Sequence, residues 1–235
     1  MKVIAFDLST KCIGVVAAEV QENNVIKIAS CPIMPPSFSP SVLGYCKTKK
    51  EIISKKGKRY KSYVKTNEIP PYSNISFAEK QRRDREVRGQ KDITILEYIG
   101  KRLSEIILTI KPDLIIVEKN CIFNGILTTV LLAKVMGVLI GIAGSVNIPL
   151  EEYAVNEVRS LFDMGKLSKE FTKTRSSDVL AKIPDIGKAV LREIMEDKYH
   201  IKFLSDDESD ACVVFNYWYE KIKKEKKYEF TNGNP

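Results

Sequence analysis

The sequence predicts an α/β fold: a mixed five-stranded sheet, made of a three-strand antiparallel meander and later parallel strands, flanked by helices. Three apolar runs open the chain with short polar breaks between them. Two further short runs, at 114–118 and 150–155, follow stretches of helical periodicity. A meander that continues through crossover helices places its last strands parallel to one another.

The elements follow in order. Residues 2–8 read as a strand, and residues 12–20 and 24–31 as two more, joined at Gln21-Glu22-Asn23-Asn24 by a hairpin loop. Pro32, Pro35, Pro36 and Pro40 end regular structure. Residues 41–78 are rich in lysine with interleaved tyrosine. With little to bury, the segment is expected as a mobile insertion. From about Ala78 to Ile110 apolar residues recur at three- and four-residue steps: Ile93, Leu96, Ile99, Leu103, Ile106 and Ile110. Pro112 stops that helix. Leu114–Glu118 is a continuous apolar run, as in a central strand covered on both faces.

Residues 126–146 are almost wholly apolar and long enough to span a bilayer. Lys134, Thr128, Thr129 and three glycines interrupt the run, so it is expected as a central helix buried on most sides. Leu150–Val155 reads as a strand, with Asn156 capping a short helix toward Met164. Residues 165–187 are polar and carry no assignable element. Residues 186–198 look helical. Ser205 and Glu208 form a capping box that opens a last helix to about Lys224. Residues 1–227 are expected as a single domain with a basic insertion at about 33–78, and 228–235 as a fraying tail.

The chain has 235 residues, 44% of them apolar, enough for a sizeable core. Its net charge is +8, with a pI near 9.1. That favours a polyanionic partner, nucleic acid ahead of a membrane surface. Lys55, Lys56, Lys58, Arg59, Lys61, Arg82 and Arg83 are the candidate contacts. Cations neutralise phosphates, and nearby tyrosine rings can stack on unpaired bases. Five scattered cysteines without a CxxC, and a start directly on a strand-like run, point to a reducing cytoplasmic setting. The single histidine, His200, argues against His-based catalysis or a zinc site and reads as a surface residue.

Four carboxylates carry the chemistry. Asp7 ends the first apolar run and Glu118 ends the later one, while Asp207 and Asp210 lie in the acidic start of the last helix. A carboxylate at the end of a buried strand is costly unless paired, hydrogen-bonded or metal-bound. Neighbouring strand ends lie about 5 Å apart, and residues three apart share a helix face. Oxygen-only ligands select Mg²⁺ or Mn²⁺. Two such ions suit phosphodiester hydrolysis. Simpler roles compete: Asp206, Asp207 and Glu208 complement the helix dipole in any first turn, and Asp7 with Ser9 and Thr10 can open a turn. Whether Asp207 or Glu208 joins Asp210 stays open.

The pattern resembles the RuvC family of Holliday-junction resolvases, within the RNase H-like superfamily. Ile4-Ala5-Phe6-Asp7-Leu8-Ser9-Thr10-Lys11-Cys12-Ile13-Gly14-Val15 is similar to the family's opening strand, catalytic Asp and second-strand glycine. Val117-Glu118-Lys119-Asn120 with Leu132 to Val138 resembles its second carboxylate and glycine-containing helix. Tyr153 to Arg159 resembles its strand-to-helix junction, and Asp207-Glu208-Ser209-Asp210-Ala211 its paired aspartates. The resemblance covers residues 1–31 and roughly 93–220. It implies an RNase H-like fold and a homodimeric endonuclease, with two Mg²⁺ per site, acting on four-way DNA junctions. It also implies a basic residue near the scissile phosphate, Lys188 or else Arg159. An aromatic wedge beside the second carboxylate is implied too: Phe123, although an ungapped match puts Cys121 there. Leu8-Ser9 stand where the family often has Pro-Gly, and the stretches 41–91 and 160–187 are longer than a minimal member needs. Such insertions suggest a phage or other viral source, acting in the host-cell cytoplasm. Competing readings are an RNase H-like nuclease for RNA–DNA hybrid or structured RNA, and a non-catalytic DNA-binding protein of the same fold. A sugar-kinase or actin-like ATPase, echoed by Asp7-Leu8-Ser9-Thr10, needs a longer chain with two lobes.

Overall fold

The computed structural model describes residues 1–9, 11–21, 24–35, 45–53, 59–67, 77–119 and 126–232. The chain divides into two compact units, Met1–Pro35 with Leu96–Pro235, and Pro36–Ile95.

The first unit is built on a five-stranded sheet. Strands β1 (Lys2–Asp7), β2 (Ile13–Gln21) and β3 (Asn24–Ile33) form the expected antiparallel meander. In the second unit, β4 (Tyr45–Ile53) and β5 (Arg59–Asn67) pair antiparallel as a separate two-stranded ladder. The segment expected to lack regular structure therefore forms a β-ribbon. Lys47 and Lys49 on β4, and Arg59, Lys61 and Lys65 on β5, recur at the strand period, a pattern that hydrophobicity does not reveal.

Helix α1 (Phe77–Ile110) runs into the first unit and ends before Pro112, with Lys111 in the left-handed region. Its apolar stripe is rotated from the sequence reading: Ile99, Leu103 and Ile107 are buried, while Ile93 is half exposed. Strand β6 (Leu114–Glu118) pairs parallel with β1, and after α2 (Ile126–Ser145) strand β7 (Leu150–Tyr153) pairs parallel with β6. The resulting order is β3-β2-β1-β6-β7, a mixed sheet.

Four short or medium helices and a long one complete the chain. These are α3 (Val155–Arg159), α4 (Met164–Lys173), α5 (Ser177–Leu180), α6 (Ile186–Tyr199) and α7 (Asp206–Asn232). The cap of α3 is Ala154, not Asn156: Glu157 reaches back to accept from the Ala154 N–H at 2.9 Å. The polar stretch 165–187 holds α4 and α5, each opened by a polar cap position, Asp163 and Ser176. His200 is exposed, as expected, and in the left-handed region at the end of α6.

One face of the sheet packs on α6 and α7. Val3, Ala5, Val16, Ala18, Leu114 and Ile116 form a single cluster there with Leu191, Met195, Phe215 and Trp218. Residues of the other parity, including Ile4, Phe6, Ile115 and Val117, are equally buried, which leaves α1 and α2 as their cover. Gly100 of α1 meets Val138 of α2.

Helix α2 corrects the sequence reading. Among the residues whose burial is described it buries only the stripe Val135, Met136, Leu139 and Ala143, while Val130, Ala133, Gly137, Ile140, Gly141 and Gly144 are exposed. By length and composition residues Thr128–Ser145 could cross a membrane. Their ends, however, join two adjacent parallel strands of one sheet, which is the geometry of a crossover connection.

Candidate active site

The site forms where β1 and β6 end. These strands run parallel side by side, in register from Val3 with Leu114 to Phe6 with Val117. Asp7 and Glu118 lie one residue past that last pair, so they leave the sheet together on strands about 5 Å apart. The apolar runs behind them are buried on both faces, which fixes where each strand stops.

Helix α7 brings the second pair of acids. Its first turn is locked by a reciprocal capping box: Glu208 accepts from the Ser205 N–H at 2.8 Å, and the Glu208 N–H donates to Ser205 Oγ at 3.2 Å. Glu208 also accepts from the Leu204 N–H at 2.8 Å and is 1% exposed. The bonds its carboxylate accepts all fall on Glu208 Oε2, while its buried Oε1 has no hydrogen-bond partner among the described residues; it is Asp207, with Asp210, whose charge reaches Asp7. Asp206 turns away to Arg192, at 3.3 Å.

Gly14 sets the height of α7 over the sheet. It pairs with Asp7 across the β1–β2 ladder, and a Cβ there would lie 1.8 Å from the Asp207 carbonyl oxygen. Only a residue without a side chain lets α7 start directly above the end of the sheet that carries Asp7. A glycine inside an otherwise apolar strand is the sequence signal of such an approach. A second support is the corner between α6 and α7. Arg192 hydrogen-bonds the Phe203 carbonyl, and Glu196 accepts from the Phe203 N–H at 3.1 Å and from Lys202 at 2.6 Å. Nothing in the sequence alone pointed to that corner.

Lys188 completes the group. It lies in the first turns of α6, where Asp185 caps the helix, and its ammonium donates to Asp210 Oδ2 at 2.5 Å. Burial, followed by the charges of Asp210, Glu118 and Asp207, pushes the Asp7 carboxyl well above the usual range, and Lys188 offsets this only partly. Burial also raises Glu118, with Asp210 adding and Arg159 and Lys188 opposing. It raises Asp210 as well, against the pull of Lys188. For Lys188, burial lowers the ammonium, but its hydrogen bond and attraction to Asp210, with Asp7 and Asp207, outweigh that and hold it above its ordinary value. Buried like charges of this kind are the mark of a functional cluster rather than of a stability device.

The structure therefore brings Asp7, Glu118, Asp207, Asp210 and Lys188 to one edge of the sheet, and Arg159 is near enough to act on Glu118 and Asp210. Ser9 has a local role: its hydroxyl accepts from the Lys11 and Cys12 N–H groups and shapes the turn after Asp7. Phe123 and Cys121 lie outside the described residues, as do Lys55, Lys56 and Lys58. Arg59 and Lys61 are on β5, and Arg82 and Arg83 on α1.

In kind, the donors fit a hard divalent cation: four carboxylates, mutually repelling and partly desolvated. They do not form a closed ligand shell. Among the described residues, no three His, Cys, Asp or Glu side chains converge on one ion position, and Lys188 supplies the nearest positive charge to Asp210.

A meander joined to two parallel strands in the order β3-β2-β1-β6-β7, with acids at adjacent strand ends, defines the RNase H-like class. No protein-family model matches the chain, and no curated protein matches it by sequence. Among solved structures it is similar to T. thermophilus RuvC in complex with a Holliday junction substrate. That match has a TM-score of 0.50 and 11% identity, over 94% of this chain and 96% of that one. Thermus thermophilus RuvC alone gives 0.48 and 10%, over 95% and 97%. The yeast mitochondrial Holliday junction resolvase Ydc2 gives 0.41 and 11%, over 97% and 83%. The fold is the RuvC-type, RNase H-like fold.

Proposed function

We propose that this chain is a divalent-metal-dependent endonuclease that resolves branched DNA, foremost four-way junctions, by paired symmetric phosphodiester hydrolysis. The observation that carries this is the gathering of two strand-end carboxylates with Asp210 and Lys188 at one sheet edge. The similarity to a RuvC held on a junction supports the substrate.

Asp7, Glu118, Asp207 and Asp210 would hold Mg²⁺ or Mn²⁺, as a pair of ions in the manner of other two-metal nucleases. When bound, such ions supply Lewis-acid polarisation of the phosphate and activation of water. Asp7 and Glu118 sit on rigid strands and fix the position of the site. Lys188 stays protonated and neutralises Asp210 until a phosphate competes for its ammonium. Arg159 and Lys188 are the candidates for holding the scissile phosphate. Phe123 remains the candidate wedge at the junction. Lys55, Lys56, Lys58, Arg59, Lys61, Arg82 and Arg83 are proposed to hold the DNA arms.

Two symmetric cuts in a four-way junction call for a twofold dimer. The exposed apolar stripe of α2 supports that assembly, because its glycines permit close approach of a second copy.

The test is nicking of a synthetic four-way junction, a matched linear duplex and an RNA–DNA hybrid with Mg²⁺ or Mn²⁺, comparing wild type with Asp7→Asn and Glu118→Gln. Paired nicks in the junction that both variants lose, with junction binding kept, are expected. Cleavage of the hybrid alone would move the protein to another RNase H-like activity. Tight junction binding without cleavage would make it a non-catalytic DNA-binding protein.

A further inference from the structure

We propose that the β4–β5 ribbon is a one-sided anchor for duplex DNA: one face of its ladder binds phosphates and the other does not. This rests on the reading of the protein as one that acts on DNA, and it assigns the basic segment a geometry and a ligand.

The register decides the faces. Alternate residues of a strand lie on opposite sides of a ladder, and directly paired residues share a side. Lys47 pairs with Lys65, Lys49 with Tyr63, Glu51 with Lys61, and Ile53 with Arg59. Lys47, Lys49, Arg59, Lys61 and Lys65 therefore belong to one face, with Glu51 its only acid. The opposite face pairs Thr48 with Val64, Lys50 with Ser62, and Ile52 with Tyr60, so Lys50 is its only cation.

Such sorting has a cost. Like charges directly across a ladder, as at Lys47 and Lys65, destabilise the pair. A polyanion laid along that face removes the repulsion. Same-face residues recur about every 6.8 Å along a strand, close to the rise of two phosphates of one DNA strand, about 3.4 Å each along the duplex axis. A two-stranded ribbon is also narrow enough for the major groove of duplex DNA. Lysines can instead guard ribbon edges against unwanted pairing, but that role does not require them on one face. Phosphate contacts add affinity without sequence information. The anchor should accordingly serve any duplex arm and add nothing to the choice of a junction over a linear duplex.

The full chain is titrated in EDTA, where cleavage plays no part, with a four-way junction, a linear duplex and a single strand over a range of salt. Wild type is compared with Lys47→Ala/Lys49→Ala/Lys61→Ala/Lys65→Ala, with Lys50→Ala, and with arginine at the same four positions. The fourfold alanine variant is expected to lose on the order of 100-fold in affinity for junction and linear duplex alike. Its salt slope should fall by about 3 to 4, roughly one for each lysine–phosphate pair removed. Lys50→Ala should match wild type. The arginine variant should restore binding, which separates a missing charge from a failure to fold. An equal loss per lysine in Lys50→Ala, unchanged duplex binding in the fourfold variant, or a loss confined to the single strand would overturn the proposal. So would wild-type binding to phosphatidylserine vesicles in place of DNA. Because no cleavage is needed, absence of nicking would refute the nuclease reading and leave this result standing.

Discussion

Asp7 is buried beside three other carboxyl groups that disfavour its charge, so a neutral amide there should relieve the metal-free protein. An acid raised in the fold binds its proton more tightly there than in the unfolded chain, so its ionisation at neutral pH costs stability. We expect Asp7→Asn to abolish cleavage and to raise the metal-free unfolding midpoint by a few degrees, a gain on the order of 1 kcal/mol. Mg²⁺ or Mn²⁺ should raise the midpoint of wild type and leave that of Asp7→Asn nearly unchanged. A variant that is less stable than wild type without metal would mean that Asp7 is a structural residue. Gly14 makes the opposite case. A methyl group 1.8 Å from a backbone carbonyl cannot be relieved by a rotamer change, so α7 and β2 must part. Gly14→Ala should cost about 3 kcal/mol or more in urea unfolding, the upper end for overpacking, and should abolish cleavage by moving Asp207 and Asp210. An active, stable Gly14→Ala protein would contradict the close approach.

Among the elements, the α6–α7 corner governs whether Lys188 meets Asp210. Burial works against the Glu196 carboxylate, but hydrogen bonds from Lys202, the Phe203 N–H and Arg192 hold it below its ordinary value of 4.5. A depressed acid contributes stability above its unfolded value and loses it as pH falls through the folded one. Glu196→Gln should therefore cost about 1–2 kcal/mol at pH 7, the modest figure reflecting solvent screening around Lys202. The gap to wild type should close below about pH 4. A constant gap across that range would remove the charge from the explanation. The corner was not legible in the sequence, because its residues are ordinary helix-surface polars whose partners come from the following loop. The sheet was legible: Val3–Phe6 and Leu114–Val117 are unbroken apolar runs, and a strand buried on both faces leaves that signature. The capping box was legible too, since Ser205 and Glu208 carry it at fixed spacing. The β4–β5 ribbon was not, because lysine alternating with threonine or serine has strand period without an apolar face. Nor was the rotation of α1, whose isoleucines at 106 and 107 permit either stripe.

At the scale of the whole molecule, α2 is where sequence and structure part furthest, and the proposed twofold dimer would account for it. An apolar helix looks buried in a sequence whether its cover is its own chain or another copy. In the single chain, Val130 and Ile140 are 45% and 49% exposed, and Ala133, Gly137, Gly141 and Gly144 lie on the same side. At the three glycines nothing stands within 4 Å of where a Cβ would be. A stripe of this kind, open and nearly without charge, is costly in water and is relieved by a self-complementary contact. We expect wild type to sediment as a dimer and Ile140→Glu to sediment as a folded monomer, since one buried unpaired charge on each side of a twofold contact opposes association strongly. The monomer should bind a linear duplex about as well as wild type does. On a four-way junction it should nick one strand at a time, with the paired cuts uncoupled, because the second site no longer arrives with the first. Paired, simultaneous cuts by a monomeric Ile140→Glu protein would show that symmetry is supplied by the DNA alone, and the apolar face of α2 would then need a different partner.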